Sequence, residues 1–132
     1  MKKLVMLLMA LSLVVTACAE SQTAEATGLI DSARADELIE TVDDLVVLDV
    51  RTPEEFAAGA LPGAILIDIN NPSFTNEVAA LDTDLPYHVY CRSGNRSAAA
   101  VEIMEDLGFT EIYELTDGIQ AWVGSGRQLI TG

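Results

Sequence analysis

Basic residues are scarce in this chain. Its 132 residues hold seven Lys and Arg against 21 Asp and Glu, a formal net charge of −14. Both lysines are Lys2 and Lys3; downstream of them only five arginines face all 21 acidic residues, a formal charge of −16. Such a surface disfavours nucleic acid and anionic membranes as partners. It also repels small anions at long range, so capture of one must rest on positive charge within about 10 Å of the site. Cysteine is nearly absent as well: Cys18 and Cys91 are the whole complement, too few for a disulfide framework. There is a single histidine, His88, and no His/Cys/carboxylate cluster at ligand spacing, so neither a metal nor any other cofactor is expected. Long apolar runs are missing too, and Leu4 through Val15 is too short to span a bilayer comfortably. No internal repeat is present.

That apolar run has another use. Met1-Lys2-Lys3 before it is a positive n-region, and small residues follow it, as in an export signal. Val15-Thr16-Ala17-Cys18 reads as a lipobox, in which Cys18 becomes lipid-modified and anchors the protein to a membrane. Ala17-Cys18-Ala19 also fits ordinary signal peptidase. The expected organisation is a signal peptide over 1–17, a flexible tether over 18–27 rich in Ser, Thr, Ala and Glu, and one folded domain over 28–132. Export to the cell envelope would leave Cys91 as a lone thiol in an oxidising compartment. A thiol kept there without a partner points to reactivity.

From Gly28 onward short apolar runs alternate with helical patterns. Strands are expected at Leu29-Ile30, 45–50, 64–68, 87–90 and 112–115, and helices at 33–41, 53–58, 97–107 and 119–123, with another inside 70–81 that is flanked by loop and starts near Pro72-Ser73. Asp31 or Ser32 caps the first helix, and Pro53 opens the second. The run Leu45-Val46-Val47-Leu48-Asp49-Val50 is continuously apolar and β-branched, the pattern of a strand covered on both faces. Strand–helix alternation implies right-handed crossovers and a five-stranded parallel sheet with helices on both faces, an α/β fold. Ligands of such sheets sit beyond the carboxyl ends of the strands, where Asp49, Arg51 and Cys91 should converge. His88, out of register with its apolar neighbours, reads as a solvated or internally satisfied strand residue. Trp122 reads as packing.

Cys91-Arg92-Ser93-Gly94-Asn95-Arg96-Ser97 carries the chemistry. A thiol at a strand end, then a short polar turn, then a helix start suits an anionic sulfur. Amides of the turn and of the first helical turn lack internal partners and can point at negative charge. Gly94 permits the tight path this needs. Nearby arginines and a helix N-terminus lower a thiol's pKa, and only the thiolate is a useful nucleophile.

Four segments taken together give a specific resemblance. Asp49-Val50-Arg51-Thr52-Pro53-Glu54-Glu55-Phe56, Gly59-Ala60-Leu61-Pro62-Gly63-Ala64, the 91–97 loop and Gly118-Ile119-Gln120-Ala121-Trp122 resemble a single-domain rhodanese, in the order and spacing of that family. The resemblance implies a rhodanese-like five-stranded α/β domain. It implies a sulfurtransferase that carries sulfane sulfur as a persulfide on Cys91, taken from a small donor such as thiosulfate and passed to a thiol or other nucleophilic acceptor. In that scheme the amides of Arg92, Ser93, Gly94, Asn95 and Arg96, with Ser97 opening the helix, cradle the sulfur. Arg92 faces the substrate, and Arg96 folds into the loop wall against a carboxylate such as Glu55. Asp49 and Arg51 anchor the neighbouring loop without touching the substrate.

Four residues separate Cys91 from Arg96, whereas phosphatase relatives of the fold use five, and the tighter loop suits one extra sulfur atom. Oxyanion reduction or phosphate ester hydrolysis is therefore the weaker enzyme reading. A tethered persulfide carrier without efficient turnover is the reading from another class. Two positions depart from the family pattern: Ala60 stands where many members have histidine, and Asp117-Gly118 replaces a Gly-Gly pair.

Overall fold

The computed structural model describes residues 27–131. The expected signal peptide, Cys18 and all but the last residue of the expected tether lie outside those residues. Five parallel strands form one sheet in the order β1-β5-β4-β2-β3, with β1 at Thr27–Ile30, β2 at Val46–Asp49, β3 at Ile65–Leu66, β4 at Tyr87–Tyr90 and β5 at Ile112–Leu115. Helices α1 (Ser32–Thr41), α2 (Pro53–Ala58), α3 (Phe74–Ala79), α4 (Asn95–Asp106) and α5 (Gly118–Gly124) alternate with them.

Strand β2 reads directly from its residues, since Val47, Leu48 and Asp49 are all buried. On one face Leu48, Val89 and Ile112 pack with Phe74 and Val78 of α3 and Ala100, Val101 and Met104 of α4. On the other, Val47, Tyr90 and Leu115 pack with Ala35 of α1 and with Ile119 and Trp122 of α5. Trp122 is a core residue, 1 % exposed. Chain connections leave β2 and β4 in opposite directions, toward β3 and toward β5. Their adjacent carboxyl ends therefore form the cleft where ligands of parallel sheets bind.

Several boundaries differ from the sequence reading for local reasons. Thr27, assigned to the tether, is the first residue of β1 and pairs with Ile112, a place that suits a β-branched side chain. Asp31 is the α1 cap, accepting from the Arg34 amide at 2.8 Å. β3 shrinks to two residues because it is the sheet edge, paired only with β2. α3 starts at Phe74, one residue after the expected start near Pro72-Ser73. Asn71 takes the Ser73 amide on its side chain at 3.0 Å and the Phe74 amide on its carbonyl at 2.9 Å, forming a turn in place of a first helical turn. His88 is not solvated: it is fully buried, its Nδ1 bonded to the Tyr113 carbonyl at 3.0 Å. Its Nε2 has no hydrogen-bond partner among the described residues.

Candidate active site

Asp49, the last residue of β2, builds the floor of the cleft. Its carboxylate takes Nε of Arg51 at 2.9 and 3.0 Å and Nη2 at 2.6 Å, a bidentate pair in which both side chains are almost fully buried. Asp49 also accepts the Arg51 amide at 3.0 Å and the Tyr90 hydroxyl at 2.6 Å. Burial of charge without such partners is prohibitive, and here both carboxylate oxygens, Nε and Nη2 are engaged. The network then reaches outward. Arg51 Nη2 donates to the Gly59 carbonyl at 2.7 Å, and the Tyr90 oxygen accepts the Leu61 amide at 3.1 Å. Asp49, Arg51 and Tyr90 thus hold the segment after α2 against the sheet. An antiparallel bridge between Ala60 and Ile130 straps the same segment from outside.

Cys91 follows β4 immediately and is 1 % exposed. Gly94, at φ 107°, turns the chain through the left-handed region, so α4 begins at Asn95, two residues earlier than expected, inside the loop itself. The Gly94 amide donates to Sγ of Cys91 at 3.1 Å, and the Ser97 hydroxyl oxygen lies 3.4 Å from the same sulfur. Burial pushes the thiol pKa up. Hydrogen bonds from the Ser97 hydroxyl and from the amides of Ser97, Gly94 and Ser93 outweigh it, and the net direction is down. Donors fixed around a sulfur before any reaction stabilise its anion without reorganisation.

The short helix α5 clamps this loop from behind. Its Ile119 amide donates to the Cys91 carbonyl at 2.9 Å, and its Gln120 amide to the Arg92 carbonyl at 3.2 Å. Gly118 makes that approach possible: a Cβ there would lie 2.5 Å from the Cys91 carbonyl oxygen and 2.6 Å from the Arg92 carbonyl. Asp117 precedes it at φ 58°, a left-handed conformation that Asp tolerates better than most residues.

Arg96 folds back on α2, with its two Nη atoms 2.8 Å from the two carboxylate oxygens of Glu55. Glu55 also completes the capping box of α2 with Thr52. Hydrogen bonding to the Arg96 guanidinium holds the Glu55 carboxyl at about 2, against the usual carboxylate range. Among the described residues the ion pairs use Arg34, Arg51, Arg96 and Arg127, and Arg92 joins none of them. Arg92 is exposed and lines a cleft of about 610 Å³ with Gln120, Ile119, Val123 and Leu129. Asn95 is exposed at the start of α4.

Two residues around the sulfur escaped the sequence reading. Tyr90 is one of them: the sequence pattern shows only a strand residue there, although a tyrosine next to the cysteine on a buried strand has to find a partner for its hydroxyl. Glu114, a half-buried carboxylate inside the apolar run Ile112–Leu115, accepts from the Ser97 hydroxyl at 2.8 Å. An acidic residue in the middle of a central strand was the available signal. Among the described residues no cluster of three or more His, Cys, Asp and Glu could hold a metal ion.

The sequence model of the rhodanese-like domain matches residues 31–125. A thiosulfate sulfurtransferase GlpE of Pseudomonas aeruginosa is 38 % identical over 76 residues, covering 58 % of this chain and 67 % of that protein. A sulfurtransferase of Allochromatium vinosum is 30 % identical over 101 residues, 76 % of this chain and 92 % of its own length. The crystal structure of a rhodanese-related protein of Thermoplasma volcanium superposes with a TM-score of 0.67 at 36 % identity, covering 78 % of this chain and 97 % of that one.

Proposed function

This chain belongs to the rhodanese-like family, its matched relatives being named sulfurtransferases, and from that premise we propose that it moves sulfane sulfur through a persulfide on Cys91. In the first half-reaction the Cys91 thiolate attacks the outer sulfur of a donor such as thiosulfate. The S–S bond of the donor breaks, sulfite leaves with the electron pair, and Cys91 keeps one extra sulfur. The amides of Ser93, Gly94 and Ser97 then hold the persulfide anion. In the second half-reaction an acceptor thiol or other nucleophile attacks the outer sulfur and releases the Cys91 thiolate. Both halves are displacements at sulfur and need no metal or organic cofactor.

The observation that carries this reading is the convergence of amides and the Ser97 hydroxyl on one buried sulfur. Arg92 is exposed next to Cys91 and free of an ion pair among the described residues, which supports a role in meeting the sulfonate end of a donor. This local cation matters because the rest of the molecule repels anions. We extend the reading to location: the run Leu4 through Val15 followed by Cys18 supports an exported, lipid-anchored form.

Intact-mass measurement before and after thiosulfate tests the proposal. The wild-type protein should gain the mass of one sulfur atom and lose it to added thiol, and Cys91→Ser should gain nothing. A wild-type protein that takes up no sulfur, or a Cys91→Ser variant that does, overturns it. Uptake without repeated turnover for any acceptor would mark a carrier instead. The N-terminal mass of the exported protein reads the anchor.

A further inference from the structure

The Ser97 hydroxyl stands between two ionisable groups that both want its proton, with the neutral Gly94 carbonyl 3.1 Å away as a third acceptor. Its oxygen is 3.4 Å from Sγ of Cys91 on one side and 2.8 Å from Oε1 of Glu114 on the other. A serine has one hydroxyl proton. When that proton bonds an ionised Glu114, the oxygen turns its lone pairs to Cys91 and favours the thiol. When Glu114 is protonated, its carboxyl donates to the Ser97 oxygen, and the hydroxyl proton is free to bond a thiolate. We propose that Glu114 is a positioning residue for the reaction and the acceptor of the Cys91 proton, reached through Ser97. It rests on the reading of Cys91 as the nucleophile.

The step is balanced. The Cys91 S–H bond breaks and its proton passes to the Ser97 oxygen. The original Ser97 proton passes to Oε1 of Glu114. The products are a thiolate, a serine hydroxyl donating to it, and a neutral carboxylic acid donating to the serine. No proton goes to solvent, and no other reactant is consumed. Register explains why Glu114 reaches this place: it pairs with Val89 on β4, two residues before Cys91, beside the strand end from which α4 starts.

Surroundings narrow the gap between the two states. Three amides and Arg96 stabilise charge on the sulfur. Glu114 is half-buried, and burial raises its pKa despite the Ser97 hydrogen bond. The other charged groups near the pair are already engaged. Glu55 of α2 is tied to Arg96, and Asp49 and Arg51 of β2 neutralise each other. β1, beside Glu114, carries no charged residue. On β4, Tyr87 donates its hydroxyl to the Asp82 carbonyl, and His88 belongs to the opposite face from Val89. Between its two titrations the Cys91–Glu114 pair therefore shares one proton and ionises as a unit.

The pH profile of Cys91 alkylation by iodoacetamide, a small neutral reagent, measures this directly. It does not depend on sulfur transfer, so failed sulfur loading with an intact profile counts only against the sulfurtransferase reading. In Glu114→Gln the side-chain amide can donate permanently to Ser97, and no second negative charge forms. The alkylation midpoint should move down by about one pH unit, close to a tenfold faster reaction on its acidic limb. Ser97→Ala removes both the bridge and a donor, so its midpoint should move up. In the Ser97→Ala background, Glu114→Gln should add less than about 0.3 of a pH unit to the midpoint. Folding of each variant is checked by its denaturation midpoint. An unchanged midpoint in folded Glu114→Gln, or fully additive shifts in the double variant, overturns the proposal.

Discussion

His88 should make this domain acid-sensitive in a pH window of its own. The ring is completely buried on β4, with Nδ1 on the Tyr113 carbonyl and Nε2 unpartnered among the described residues. Protonation would place a cation in that interior. Burial accordingly lowers the pKa to about 4, from 6.5 in an exposed ring, and the Tyr113 hydrogen bond only partly opposes the shift. The unfolded chain takes up a proton as pH falls through 6.5, while the folded chain refuses it until about 4. Stability must therefore fall across that interval, by about 3 kcal/mol in full, at most about 1.4 kcal/mol per pH unit. Glu114, with a raised pKa, works in the opposite sense, gaining stability on acidification. Glu55 loses its contribution at lower pH, between the ordinary carboxylate range and about 2.

Urea denaturation followed by the fluorescence of Trp122, the single tryptophan, gives the free energy at each pH. His88→Asn is the matched control, since its amide can donate to the Tyr113 carbonyl but does not titrate. The variant starts less stable because a smaller side chain leaves a cavity, and the slope, not the level, is the readout. From pH 7 to pH 4 the wild type should lose about 3 kcal/mol more than His88→Asn. Equal losses, within about 0.5 kcal/mol, would refute the assignment of that window to His88.

Gly118→Ala should strike the reactive loop from behind. Its Cβ would meet the carbonyls of Cys91 and Arg92, and its φ of 61° is already strained for alanine. A loss of about 2–4 kcal/mol in urea denaturation is expected, with slower alkylation of Cys91; a loss under about 1 kcal/mol would show that α5 does not press on the loop. Tyr90→Phe leaves the Leu61 amide without its acceptor and Asp49 short of one donor, for a cost of about 1–3 kcal/mol. The same variant should still load sulfur at Cys91, and loss of loading in a folded protein would move Tyr90 into the chemistry.

What the residues announced in advance was mostly periodic or covalent. A continuously apolar, β-branched run gave β2, and the Pro53 opening and Gly59 ending gave α2 with its limits. The segment 91–97 announced its chemistry because a thiol, a glycine and two arginines within six residues have few other uses. Boundaries were less legible. The start of α3 depends on how Asn71 spends its two hydrogen-bonding oxygens, which no periodicity records. Contacts between strands were least legible. Tyr90 meets Asp49 only because β2 and β4 are adjacent, and Glu114 meets Ser97 only because α4 returns over β5. The fate of His88 was set in the same way, since burial on that strand comes from helices packed on both faces.

The interlocked trio of Asp49, Arg51 and Tyr90 has an evolutionary consequence. Loss of any one member strands the others in the interior, at a cost of about 3–5 kcal/mol where a charge is orphaned, a large fraction of what a domain of this size has to spare. Drift at these three positions should therefore proceed in concert or not at all. Among divergent descendants, an apolar replacement at one position should come with compensating replacements at the other two.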